Sequence, residues 1–318
     1  CWIVLLATMS RDLLIASQFE PAKQLRRPIA MAMSADESLL YVANRDCGTV
    51  SILDAKALKI LNEVAVGEQL SDVTRIDAQH FIATDNSAHQ LILLRREGKS
   101  LEVVERLSVR PYPLSVAVTA DGKTAYVSSL WSRSLTVVER AAESSPPATS
   151  RNSLDVKKTI DLTFAPNKLL LVEDEKKLIV SDHFAGQFGI FDCERQEVIG
   201  VRTFCAENIR WLGIDPRSKL LAVSHTMLNE YAHTVRNDVH WGVLMSNDLR
   251  WLQPAEVLDP EGDFYNKGHM HPLGEPGMGG GNPGELDFFA DGTIVVHMSG
   301  VNKVAFGKEG ELGMHSLN

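Results

Sequence analysis

Short apolar strands, each closed by a polar or bulky residue, recur along the chain: "LLYVAN" (39–44), "HFIATD" (80–85), "TAYVSS" (124–129), "KLIVSD" (177–182), "LLAVSH" (220–225) and "TIVVHM" (293–298). An apolar strand and a turn precede them, as in "PIAMAMSAD", "PLSVAVTAD" and "RWLGIDP". An alternating third strand follows, as in "TVSILD", "QLILLRR", "SLTVVER", "QFGIFD" and "KVAFGK". Most units add a fourth, such as "KILNEVAVG" or "QEVIGVRTF". Alternation at period two, β-branched residues and Asp/Gly/Ser/Asn turns mark strands, and runs with helical period are scarce.

The units return at roughly 40 to 50 residues, with one gap of about 70, near the blade length of a β-propeller. One four-stranded sheet cannot bury both of its faces, so the pattern must repeat until a ring forms. The sequence therefore predicts an all-β propeller of four-stranded antiparallel blades, six of seven being present. Their spans are 27–66, 67–109, 110–162, 163–205, 206–284 and 285–318, after an N-terminal segment, 1–26. Asn44, Asp85, Ser129, Asp182, His225 and His297 are expected at equivalent places. "AAESSPPATSRNS" (141–153) reads as an exposed loop in the third blade. The fifth carries a long insertion containing His233, His240, His269 and His271, which is expected to fold over one rim of the channel.

A chain of 318 residues with 44% hydrophobic and 23% charged residues is of ordinary globular composition. A net charge of −9 and scattered Lys and Arg argue against a nucleic-acid partner. No apolar run is long enough for a transmembrane span. The opening "CWIVLLATMS" fits either the remnant of an export signal or a buried edge strand. The four cysteines form no CxxC or CxxCH and read as free thiols.

Several stretches sharpen this reading: "SSLWSRSLTVVE", "FAPNKLLLVEDEKKLIVSDHFAGQFGIFD" and "NIRWLGIDPRSKLLAVSHTMLNEYAHTVRNDVHWGVLMSNDLR". The repeats resemble the YVTN family of β-propeller repeats. These longer stretches resemble exported bacterial proteins that join such a propeller to a cytochrome c domain. The resemblance implies a periplasmic or cell-envelope location, a cytochrome c domain in cis or a redox partner protein, and a haem c held in a downstream domain. A seventh blade and a CxxCH segment would follow the point where this sequence ends, so the chain is expected to be a fragment or a diverged relative, with no cofactor of its own.

Candidate chemistry gathers at the fifth blade. His225, Arg236, Asp238, His240, Trp241 and Asn247, with His297 and Asp182 on the same rim, are candidates for a ligand- or partner-binding network. Arg236 and Asp238 are spaced to pair, and a carboxylate can fix the tautomer of a nearby imidazole. Three readings stay open: a network that holds the insertion to the rim, a metal or small-ligand site, and contact with a partner cytochrome. "GEPGMGGGNPGE" lacks the lysine and the helix of a phosphate loop. There is no GxSxG elbow and no tight metal motif, so no catalytic residue is assigned. A non-catalytic scaffold or docking module is the first reading, and a propeller-fold enzyme of lactonase or dehydrogenase type is the alternative.

Overall fold

A computed structural model describes residues 25–141, 154–240, 243–275, 278–309 and 311–316. The first blade is built from Pro28–Met33, Leu39–Asn44, Thr49–Asp54 and Lys59–Ala65, each strand antiparallel to the next. The second runs Leu70–Arg75, His80–Asp85, Gln90–Glu97 and Ser100–Ser108. The third runs Pro113–Val118, Thr124–Ser129, Ser134–Arg140 and Leu154–Asp161. The fourth opens with Pro166–Val172, Lys177–Asp182 and Ala185–Asp192.

A single strand, Glu197–Ile214, then serves two blades. Its first part pairs with Ala185–Asp192 and closes the fourth blade. After an irregularity between Glu207 and Trp211, its second part pairs with Leu221–Leu228 as the inner strand of the fifth. Met245–Leu252 and His269–Pro272 complete that blade. Pro283–Phe288, Ile294–Met298, Lys303–Lys308 and Glu311–Ser316 form a sixth sheet. The architecture is a β-propeller, with the first strand of each blade innermost.

Packing follows from the period of two. Each sheet sends alternate side chains to the blade before it and the blade after it. Five apolar cores result, one for each seam between consecutive blades. Tyr41 and Phe81 meet across the first seam, their ring centroids 4.3 Å apart, and Trp251, Leu286 and Met298 fill the fifth. Among the described residues no such core joins the sixth blade to the first. Met31 and Met33, on the first blade's inner strand, stay 61% and 42% exposed there.

Polar staples repeat near the channel. Ser71 Oγ donates to Pro113 O (2.7 Å), Ser128 Oγ to Asn167 O (2.7 Å), Asn167 Nδ2 to Ile209 O (2.7 Å) and Ser224 Oγ to Gly284 O (2.8 Å). Each ties one blade to the carbonyl of the next inner strand. At the opposite end, Asp36, Asp121 and Asp291 accept the amides of Ser38, Lys123 and Thr293, closing the first turn of their blades.

The fifth-blade excursion departs from expectation. It is two excursions at opposite ends of the ring, because the blade's own third strand lies inside it. Residues 229–244, with the short helix Arg236–His240, leave from the channel mouth. Residues 253–268, with Pro254–Leu258 and Phe264–Lys267, leave from the far end, where Arg202 donates to the carbonyls of Pro260 and Gly262.

Candidate functional site at the channel mouth

In five of the six blades the residue after the second strand carries the chain onto the mouth. A backbone clasp places it: Arg45, Asn86, Leu130, His183 and Ser299 donate their amides to Arg27, Gln69, Tyr112, Ala165 and Asn282. Arg45, His183 and Ser299, with Arg210 from the fifth inner strand, line a cavity of about 560 Å³ that Asn167, Lys168, Asn282 and Glu285 also face. A deeper cavity of about 770 Å³ continues along the channel past Asp72, Lys168, Trp211, Glu285 and Asp287.

The upper cavity is cationic. Burial lowers the pKa of Arg210, whose Nε has no hydrogen-bond partner. Burial, and then the neighbouring Arg210, lower that of His183, whose Nδ1 is likewise unpartnered. Burial and the nearby Arg27 lower that of Arg45, which donates to Gln69 Oε1 at 3.3 Å. Below them Lys168 Nζ sits 4.0 Å from the centroid of the Trp211 ring. Burial raises the Glu285 carboxyl above the usual range, against the pull of Lys168.

Aromatic side chains crown the same end. Trp131 and Phe184, 60% and 46% exposed, pack at 5.6 Å, and Phe184 meets His183 edge-on at 4.7 Å. Tyr112, 41% exposed, meets His89 at 5.0 Å.

The sequence-derived candidates distribute differently. His225 is fully buried, facing the fourth blade rather than the rim. Its Nδ1 contacts Thr226 O at 3.0 Å, its ring lies 5.9 Å from that of Phe204, and its Nε2 is unpartnered. Burial brings its pKa down to about 4. Asp248, its cross-strand partner, is also buried and takes a hydrogen bond from Ser246 Oγ. Arg250 completes this enclosed group, beneath the Tyr265 ring at 4.4 Å and donating to Met270 Sδ at 3.3 Å.

His240 and Arg236 are exposed on the short helix, so the expected gathering of His240 with buried His225 does not form. Asp238 Oδ2 accepts the amide of His233 at 2.8 Å, not the Arg236 guanidinium. Trp241 lies outside the described residues. Asn247 is buried and holds the glycine-rich connector: its Nδ2 donates to Gly280 O (3.1 Å) and its Oδ1 accepts from Asn282 N (3.2 Å). Gly280 is needed there because an added Cβ would fall 1.7 Å from Leu273 O. Asp182 is buried and accepts the amide of Phe184 at 2.9 Å, which positions the aromatic crown. His297 does line the channel. The register nevertheless sets Met298, not His297, opposite the first residue of the inner strand, as Asn44, Ser129 and Asp182 are set opposite Pro28, Pro113 and Pro166. His297 is shifted by one residue and so turns to the opposite face, toward the seam where no core forms among the described residues.

Among the described residues no group of three His, Cys, Asp or Glu is placed to hold a metal ion. No helix among the described residues is long and apolar enough to cross a membrane.

No protein-family model matches the sequence, and no curated protein does. Solved structures do. The chain is similar to hydrazine synthase from Kuenenia stuttgartiensis, at 18% identity and TM-score 0.75 over 91% of this chain and 79% of that one. It is similar to a putative 6-phosphogluconolactonase from Bacteroides fragilis, at 15% and 0.66 over 91% and 83%. It is also similar to the dihydro-heme d1 dehydrogenase NirN in complex with DHE, at 13% and 0.56 over 90% of this chain and 56% of that one. At these identities the likeness shows the fold alone, which is that of a β-propeller.

Proposed function

We propose that this chain is a non-catalytic docking module of an exported, c-type-cytochrome-linked redox protein, and that its channel mouth receives a haem-carrying domain or a redox partner. One observation carries the reading. The mouth joins an exposed aromatic crown (Tyr112, Trp131, Phe184) to arginines at its centre (Arg45, Arg210), and Trp, Tyr and Arg dominate the hot spots of protein interfaces. Similarity to NirN and to hydrazine synthase supports a redox setting, and the resemblance of the repeats to the YVTN family supports an envelope location. The lack of an apolar core between the sixth and first blades, among the described residues, supports a ring with a seventh place. The haem belongs to a separate domain, because this sequence has no CxxCH to attach it.

The test is surface plasmon resonance of the purified chain against a soluble c-type cytochrome. Saturable binding, weakened at least tenfold by Trp131→Ala with Phe184→Ala, is expected. Equal binding by the double variant removes the docking face.

A second reading rests on Glu285. A carboxyl whose pKa burial raises, beside Lys168 in the deeper cavity, has the makings of a general acid, and the likeness to a putative 6-phosphogluconolactonase suggests which substrate to offer. Hydrolysis of 6-phosphogluconolactone that is abolished by Glu285→Gln would favour the enzyme over the docking module.

A further inference from the structure

Most partly buried arginines of this propeller have a partner. Arg140 Nη1 donates to Asp77 at 2.9 Å, Arg106 Nη2 to Val66 O at 2.6 Å, and Arg202 to two carbonyls. Arg210 is different. Among the described residues it has no ion pair and no acceptor for its buried Nε, although burial disfavours its charge. A cation withdrawn from water is held at a cost unless something of opposite sign or a set of acceptors meets it. His183, close enough to feel that charge, also presents a buried and unpartnered Nδ1. Arg45 enters from the first blade, one of its nitrogens donating to the amide oxygen of Gln69.

All three side chains line one cavity of about 560 Å³, the size of a small-molecule pocket. They reach it from the first, fourth and fifth blades, so the donors surround the space instead of sharing one wall. Glu285 lines the same cavity, but Lys168 meets its charge on the deeper side.

We infer that the mouth contains a binding site for a small oxyanion, in which Arg45 and Arg210 hold a carboxylate or phosphate group and His183 donates a hydrogen bond to it. Planar guanidinium groups suit both anions because two N–H bonds can meet two oxygens. The group belongs either to a free carboxylated or phosphorylated metabolite or to an acidic side chain of a docked protein.

Isothermal titration calorimetry of the whole chain at low ionic strength tests this, with inorganic phosphate, citrate and a short Asp/Glu peptide as separate probes. At least one should bind saturably at a single site, tenfold or more weaker in Arg210→Gln and in Arg45→Gln and about threefold weaker in His183→Gln. Phosphate or citrate binding tightest identifies a free metabolite as the source. Tightest binding of the peptide identifies a partner's side chain. Lys99→Ala, an exposed substitution at the far end of the second blade, should leave these affinities unchanged, and cytochrome binding is measured on the same variants, so loss of partner binding and loss of the anion site are read separately. Should Arg210→Gln fail to fold, the Arg45 and His183 variants carry the test. No saturable binding of any probe at millimolar concentration, or affinities unaltered in the folded variants, overturns the inference.

Discussion

Arg210 and Arg250 belong to the same blade, and both leave a buried Nε without a hydrogen-bond partner, yet their surroundings are opposite. Arg250 is 4% exposed, roofed by Tyr265, touching Met270 and sharing its pocket with Asp248 and His225. Arg210 lines an open cavity that Glu285 shares, and among the described residues it forms no ion pair. In the enclosed group the countercharge is built into the blade. At Arg210, among the described residues, no ion pair supplies it. The first arrangement specifies a packing, and the second leaves a binding capacity.

The largest effect should come from breaking the enclosed group. Arg250→Ala removes a guanidinium that fills space under Tyr265 and offsets the charge of Asp248, leaving a void and a lone buried acid. Losses of about 3–5 kcal/mol accompany such one-sided removals. Urea unfolding should register that loss. A change under ~1 kcal/mol would show that the group is solvated and that the contrast with the mouth is unfounded.

His225 gives the same group a pH signature. Burial lowers its pKa from 6.5 to about 4, so on acidification the unfolded chain takes up the proton first. The stability this imidazole contributes is whole above about pH 6.5 and is lost as pH falls through 4. At ~1.4 kcal/mol per pKa unit, about 2 kcal/mol should be gone by pH 5. Asp248 acts with the opposite sign, because burial raises its pKa and its cost grows as pH rises. Comparison with His225→Asn therefore isolates the imidazole: unfolding free energies at pH 7 and pH 5 should differ by about 2 kcal/mol more in the native sequence than in the variant. Equal differences would mean that His225 titrates as though exposed.

The repeat, and hence the propeller, was legible because strands of period two, buried on both faces of every blade, write short apolar runs that return at blade spacing. The mouth was harder to read because the same period turns a one-residue displacement into a change of face. Asp182 and His225, chosen as rim residues, point into the seam before their blade. The residues that reach the mouth come one later, at Arg45 and His183. Counting one step past each second strand would have found both. Arg210 had no such signal, since it follows a bend inside a strand shared by two blades. The fifth blade's third strand, "MSNDLRWL", was hidden because its seam-facing positions include Asp248 and Arg250 rather than apolar residues.

At the mouth the expected stability change is small and of the other sign. Arg210→Met trades a cation without a countercharge for an apolar side chain of similar length. Replacing buried charge in this way is neutral or stabilising, here by about 1 kcal/mol. A melting temperature equal to or above that of the native sequence is expected, and a loss as large as that of Arg250→Ala would show an undetected structural partner for Arg210.

The smallest effect is expected on the exposed excursion at the mouth. Asp238 fixes it locally by accepting the His233 amide, and Val243 returns its own amide to Asp238 O at 2.9 Å. Neither contact touches a seam core. Asp238→Ala should therefore change global stability by no more than ~0.5 kcal/mol, the usual range for surface substitutions. The local opening of 229–244 should become easier, because a short helix with no buried residue depends on its turn contacts. Limited proteolysis should cut within this segment several times faster in the variant, while the rest of the propeller resists as before. If cleavage also spread to Met245–Leu252, the excursion would be coupled to the enclosed group, and the boundary between the two regions would have to move outward to include it.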